Sequence, residues 1–321
     1  MLNNTKILNR LGFIELPHDI SEIKATFNDT QKWLTQINFD TALDFYNLNT
    51  HNQFSELFNE YLLKFKSSHD MQNGAYILFN YLFSADKYNW THNLKRKTTD
   101  FLPALILISG YSMHEQNMKN RKFDEYQINK HIYRIYETCI RGIDIYKING
   151  TEISQLIWGS FFINAHIIEI GRLQYELFMY DYQIPGFQPK NKFCINMHVP
   201  RGQKLSNESV SKSLETAKEQ IPFYFHEIQQ SPDIFIESWL MDKNLEPHLP
   251  EKSNIRLFRN RFNILHQLPE SSISKFLFNT SSSDISKYPS NTYLRHKIKT
   301  ALLNGEKFYD GIALLKQQNI K

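Results

Sequence analysis

Two cysteines, Cys139 and Cys194, are too few in 321 residues for a disulfide framework, and no cluster of Cys or His has the spacing of a structural zinc site. Both are expected as buried or half-buried thiols, and no metal is expected. Glycine and proline are equally sparse at 11 each, which excludes collagen-like and low-complexity chains. Long hydrophobic runs are missing as well. The most apolar windows are 101–111, too short to span a bilayer, and 156–171, which carries Asn164, His166 and Glu169. The first residues, MLNNTKILNRLGFIELP, scatter Asn and Lys where a secretory signal needs an unbroken apolar stretch. The expectation is a soluble, cytoplasmic protein with no membrane partner. Lys plus Arg is 37 against 33 for Asp plus Glu, a surplus of +4 that does not by itself mark a nucleic-acid binder. The densest basic run, Lys95, Arg96 and Lys97, has no interleaved aromatic and reads as a solvated loop. There is no G-x-G-x-x-G, no G-x-x-x-x-G-K-[ST] and no G-x-S-x-G. His226 and Glu227 begin like a zinc-protease helix, but Gln230 stands where the second ligand belongs.

What the chain does have is apolar and aromatic content, 41% and 14%, enough to bury about two cores in 321 residues. From 19 to 147 apolar residues recur at three- and four-residue steps. The clearest stripe is Ile128, Ile132, Ile135, Cys139, Ile143 and Tyr146. Helices are expected at 21–36, 53–66 and 70–87, with Asp100 capping another that tolerates Pro103 in its first turn. Gly150 closes this helical domain, 1–150, and Thr151 starts a helix reaching Ile170 and ended by Gly171. The second domain, 151–321, is mixed. Strands are expected at 172–180, 193–200, 234–241, 274–279 and 308–315, with Pro185, Gly186 and Pro189 in the first connection. Helices are expected from about 206 to 221, where Pro222 ends or kinks the first, and at 250–262 and 292–303. The fold class is α+β: an all-helical N-terminal domain, then a mixed sheet flanked by helices.

The stretch that can carry chemistry is the strand, loop and helix from 193 to 221, whose loop reads HVPRGQKLSNES. A strand that runs through a Gly-containing loop into a helix N-terminus can hold a phosphate, because backbone N–H groups point outward and the dipole favours an anion. Gly202 permits close approach, and Arg201 and Lys204 add positive charge. A plain turn into a helix capped by Ser206, with Glu208 in its first turn, is the competing reading.

FLPALILISG (101–110), IGRLQYE (170–176), HVPRG (198–202) with Leu205 and Glu208, SWLMD (238–242), SNIRLFRNRF (253–262), and Thr292, Leu294 and Gly305 together resemble a bacterial acyltransferase family. That family joins a helical N-acyltransferase N-terminal domain to a GNAT-like C-terminal domain. The likeness covers about 101–315. It implies a sheet whose two central strands, those ending at Pro200 and Met241, splay to hold the pantetheine arm of an acyl-coenzyme A. It also implies a helical half that covers one end of the sheet and helps to shape the acceptor pocket. The loop Val199, Pro200, Arg201, Gly202, Gln203, Lys204 and Leu205 would cradle the pyrophosphate, although PRGQKL departs from the [QR]-x-x-G-x-[GA] signature usual there.

Acyl transfer from a thioester to an amine needs a base, an oxyanion stabiliser and an acid for the thiolate. On this resemblance Glu237, on the second splayed strand, is the base, acting through a water, with a solvent-facing strand carboxylate as the competing reading. His198 is the other titratable group in place, and it alternatively packs against Arg172 or Glu176 of the neighbouring strand. Ser238 is the substitute acid, since LEPHLPEKSNIRLFRNRF has no tyrosine. Arg172, Arg256, Arg259 and Arg261 are candidates to meet an anionic ligand or acceptor, against solvated or salt-bridged surface roles. The function expected is an acyltransferase that uses acyl-coenzyme A and an amine acceptor. The alternatives are a catalytically silent module binding an acyl thioester or a partner protein, and a basic nucleic-acid-associated protein.

Overall fold

The computed structural model describes residues 3–83, 94–179, 187–189, 192–228 and 232–316. They fall into two compact units, Met1–His166 and Ile167–Lys321. In the first unit, helices α1 (Asn4–Arg10), α2 (Phe27–Gln36), α3 (Phe39–Phe45), α4 (Asn52–Lys66), α5 (His69–Leu82), α6 (Leu102–Ser109), α7 (Tyr111–Asn120), α8 (Glu125–Arg141) and α9 (Ile153–Ile163) follow one another. A short ribbon pairs β1 (Phe13–Glu15) with β2 (Lys95–Arg96). The segment LPALILIS has no polar stripe, and a helix apolar all round must be buried all round. Every residue of α6 is buried, with α3, α5, α8 and α9 packed on it.

Local sequence explains where the helices begin. Thr26 and Asp29 form a reciprocal capping box, so α2 starts at Phe27 and not at 21 as expected; a 3-10 turn, His18–Glu22, precedes it. Asp100 accepts the Leu102 N–H at 2.9 Å, and Pro103 sits in the first turn, where its missing donor costs nothing. The expected helix 70–87 is observed from His69 to Leu82, and residues 84–87 lie outside the described residues. The basic run at 95–97 is not a solvated loop. Arg96 is buried and donates from both terminal nitrogens to the Asp100 carboxylate, at 2.5 and 2.7 Å, and from Nε to the Leu11 carbonyl at 2.8 Å.

The unit boundary falls at 166/167, whereas the sequence suggests 150/151. The physical reason is α9, whose buried residues pack on α6 and α8. The helix expected to reach Ile170 stops at Ile163 because Ala165 takes a left-handed conformation, φ 54°. The β-branched run beyond it is strand β3 (Ile167–Ile170).

In the second unit, β3, β4 (Leu173–Met179), β5 (Phe193–His198), β6 (Ile234–Ser238), β7 (Phe262–Gln267) and β8 (Gly311–Leu315) form a sheet in the order β3-β4-β5-β6-β8-β7. All neighbours are antiparallel except β5 and β6. Gly171, φ 58°, makes the tight β3–β4 turn rather than a helix stop. Pro185 and Gly186 of the β4–β5 connection lie outside the described residues. Helix α10 (Asn207–Tyr224) is the crossover that a parallel pair requires, and it packs on β3 and β4, with Ser213 Oγ 3.0 Å from Tyr175 OH. It continues one turn past the expected stop at Pro222. Helices α11 (Asn254–Arg259), α12 (Ile273–Leu277) and α13 (Tyr293–Leu303) complete the unit. The strand expected at 274–279 is the short helix α12, ended by Asn279 in the left-handed region, φ 56°. The helix expected to 262 ends at Arg259, and Phe262 opens β7, a strand absent from the sequence reading. Among the described residues no helix is long and apolar enough to cross a membrane, and no group of three or more His, Cys, Asp or Glu can hold a metal.

Asp242 locks the exit of β6 to the entry of β8. It is fully buried and accepts the Asn244 N–H at 2.9 Å and the Tyr309 N–H at 2.6 Å. Asp242→Ala strands both donors and is expected to cost about 2–4 kcal/mol, read as a lower midpoint in urea denaturation.

Candidate active site

β5 and β6 are in register at only two positions, Ile195 with Ile234 and Asn196 with Phe235. Each strand then continues, paired on its outer side alone. Met197 and His198 stay with Tyr175 and Gln174 of β4, while Ile236, Glu237 and Ser238 stay with Ala313, Ile312 and Gly311 of β8. The two strands therefore part, as expected, and the lips of the gap carry backbone N–H and C=O groups that face no partner strand. Such groups require hydrogen bonds. An amide-bearing arm lying between the strands supplies them in the way a third strand would.

Side chains alternate across a sheet, so Glu176, Asn196, His198 and Glu237 share one face with Phe178, Cys194, Phe235 and Ile312, which form an apolar cluster. Glu237 sits at the rim of that cluster. Burial pushes its carboxyl up to about 7, and the nearby Asp310, Glu176 and Glu270 carboxylates add to the rise while His198 opposes it. His198 Nε2 lies 2.7 Å from Glu176 Oε2, which also accepts the Asn196 side-chain N–H at 3.0 Å. Glu176 is wholly buried; its carboxyl is raised by desolvation and pulled back by the donors from His198 and Asn196. Cys194 and Cys139 are both buried free thiols, and burial pushes the Cys194 thiol up to about 12. Ser238 Oγ accepts the Leu240 N–H at 3.2 Å, capping the 3-10 turn Trp239–Met241.

The loop after β5 is held from two sides. Arg172, in the β3–β4 turn, donates to the carbonyls of Gln203 and Lys204 at 3.0 and 3.1 Å. Arg201 donates to Asn279 Oδ1 at 2.7 Å and to the Lys275 carbonyl at 2.8 Å, with its guanidinium over the Phe276 ring. Gly202 takes φ 94°, and a β-carbon there would meet no atom within 4 Å, so its surroundings are open. Lys204 is exposed. Ser206 accepts the Ser209 N–H at 3.2 Å and caps α10, while Glu208 stands exposed in the first turn. Val199, Pro200, Gln203 and Leu205 complete the loop.

The structure thus places His198 on one lip and Glu237 on the other, on the same face of the sheet, with Ser238 beside Glu237 on the opposite face and the loop 199–205 following the β5 lip. The arginines weighed for an anionic ligand brace backbone instead. Arg256 donates to the Glu246 carbonyl at 2.6 Å, Arg259 to the Leu240 carbonyl, and Arg261 to Ser211 Oγ at 2.7 Å and to Asn207. Asn196 and Asp310 are site residues that sequence reasoning did not single out; Glu176 enters it only as a packing alternative for His198, and the structure shows that contact. The signal was available for Glu176, whose position in RLQYELFMY alternates with apolar residues that face a core.

A family model described as the GNAT-like C-terminal domain matches residues 167–315. No curated protein sequence matches the chain. Among solved structures, the chain is similar to an acyltransferase in complex with decanoyl-CoA, at 19% identity and TM-score 0.62, over 77% of this chain and 76% of that one. It is similar to an acyltransferase in complex with CoA and 10C-teicoplanin, at 17% identity and TM-score 0.66, over 78% and 80% of the two chains. A third similar structure is an acyltransferase mutant in complex with octanoyl-CoA, at 15% identity and TM-score 0.66, over 97% and 93%. The likeness establishes a shared fold.

Glu237 also has a stability signature. Below pH 4.5 its carboxyl is protonated whether folded or not; between 4.5 and about 7 the unfolded chain loses the proton first, so stability falls as pH rises. Glu237→Gln lacks this penalty. It is expected to match the native protein near pH 4 and to exceed it by about 1–3 kcal/mol at pH 8.5, measured by denaturant titration at both values.

Proposed function

We propose that this chain is an acyltransferase that moves an acyl group from acyl-coenzyme A, or a similar pantetheine thioester, to an amine acceptor. The observation that carries the proposal is the parted β5–β6 pair with Glu237, a carboxyl near neutrality, on one lip. The family match over residues 167–315 and the acyltransferase neighbours support it. The unpaired strand edges suit a pantetheine arm, which has amide groups along its length. The loop from Val199 to Leu205, with Gly202 open and Lys204 exposed, is assigned to the pyrophosphate. Arg201 and Arg172 serve this site by holding the loop in shape. The reading includes a bacterial, cytoplasmic setting with no nucleic-acid or membrane partner.

In the reaction the amine nitrogen forms a bond to the thioester carbonyl carbon, and the carbonyl electron pair moves onto oxygen. Backbone N–H groups on the β5 lip hold that oxyanion. Glu237 takes the proton from nitrogen through a water, and His198 stands beside it as the second basic group. As the carbonyl re-forms, the C–S bond breaks, and the leaving thiolate takes a proton relayed through the Ser238 hydroxyl, which regains one from solvent water. A base must be unprotonated to act, so the rate is expected to rise with pH through about 7.

Two assays check this. With decanoyl-, octanoyl- and acetyl-coenzyme A as donors and an amine panel as acceptors, thiol release is expected. Glu237→Gln should lower kcat about 100- to 10,000-fold while donor affinity holds. Binding without thiol release under every acceptor would identify a silent module instead. Lys204→Glu, a change at an exposed side chain, should weaken coenzyme A binding on the order of tenfold at low salt and less at high salt. Equal affinity for the variant at low salt overturns the loop assignment.

A further inference from the structure

We infer that Glu176 is a positioning residue that fixes which nitrogen of His198 carries the proton and which way the ring faces at the β5 lip. The inference rests on the proposed acyl-transfer reading for its kinetic consequence, and on the geometry of β4 and β5 for the rest. Glu176 occurs at the middle of β4, in register with Asn196, and its side chain shares their face of the sheet. It is 0% exposed, in a strand otherwise occupied by buried residues, where an apolar side chain would be the stable choice. One of its oxygens, Oε2, gathers two donors, Asn196 Nδ2 at 3.0 Å and His198 Nε2 at 2.7 Å. The other, Oε1, is buried with no hydrogen-bond partner among the described residues.

An ionised Glu176 accepts and does not donate, and the donors from Asn196 and His198 favour that ionised form, so the contact puts the proton on Nε2. Nδ1 is then the ring's basic nitrogen. Asn196 holds the carboxylate from below the ring, so the acceptor does not swing away from His198. The arrangement is an imidazole oriented by a buried acid, the third member that an acid–base pair needs. Among the described residues, Glu237 from β6 and Cys194 from β5 also feel the Glu176 charge. Glu176 does not reach the gap itself; it acts through His198.

The test uses the full chain labelled with nitrogen-15 histidine. The native protein is expected to show His198 as the Nε2–H tautomer by two-bond nitrogen–proton correlation, assigned by its loss in His198→Gln. An Nδ1–H tautomer in the native protein overturns the inference without any variant of Glu176. Glu176→Gln keeps an acceptor oxygen and should keep the tautomer. Glu176→Leu removes the acceptor and should give a mixture of tautomers. In thiol-release kinetics Glu176→Leu should lower kcat about 10- to 100-fold with KM for acyl-coenzyme A unchanged, and Glu176→Gln should recover part of that loss. A fall in kcat that both variants share equally, or a KM effect alone, would make Glu176 a packing residue and sink the positioning role. If the native protein releases no thiol while the tautomer behaves as stated, the acyl-transfer reading fails and the Glu176–His198 assignment stands.

Discussion

The parting of β5 from β6 is the constraint on which the second unit depends. A parallel pair cannot be joined by a hairpin, so the chain must leave β5, cross a face of the sheet as α10, and return to β6 at the same starting edge. Both strands consequently finish at one edge of the sheet. Pairing with β4 keeps the end of β5 on one side, and pairing with β8 keeps the end of β6 on the other. Two residues of register, at 195–196 and 234–235, hold the centre; beyond them each strand follows its outer neighbour. Asp242 fixes the far lip by tying the turn after β6 to Tyr309 at the start of β8.

That geometry explains why the polar groups of the sheet gather where they do. The face carrying Phe178, Cys194, Phe235 and Ile312 turns polar toward the end where the strands part, from Glu176 and Asn196 to His198 on one side and at Glu237 on the other. Glu237 pays for its place in stability, because a carboxyl lifted to about 7 is harder to ionise in the folded chain than in the unfolded one. A fold selected for stability alone would put an apolar residue there. Glu176 has the same character, with the difference that Asn196 and His198 offset part of the desolvation.

Much of this was legible in the sequence. The stripe from Ile128 to Ile143 is a helix because its spacing is helical, and Phe193 to His198 is a strand because its alternation is. Glu237, His198 and Ser238 were placed on the two lips by resemblance. Long-range pairing was not legible. Residues 167–170 read as the end of a helix because IIEI is equally apolar in either conformation, and only the left-handed Ala165 separates the two. Phe262 reads as the end of a helix and 263–267 as no element, because β7 becomes a strand only by pairing with β8. The Glu176–His198 contact joins residues 22 apart through the β4–β5 register, which local spacing does not encode.

The arginines show why charge counted along a sequence misleads about ligands. Arg172, Arg201, Arg256, Arg259 and Arg261 all look available for a phosphate, yet each donates to a backbone carbonyl of the second unit. A guanidinium has five donors in a fixed plane and so can hold two strands of irregular backbone at once, which a lysine cannot. These contacts keep the loop 199–205 and the turns after β6 in place without a bound ligand. An anion at that loop must therefore be met chiefly by backbone N–H groups near Gly202 and by Lys204, whose compact charge lies on the exposed side. On the proposed reading such a site would recognise a phosphate by the shape of the loop, and the arginines would act by keeping that shape.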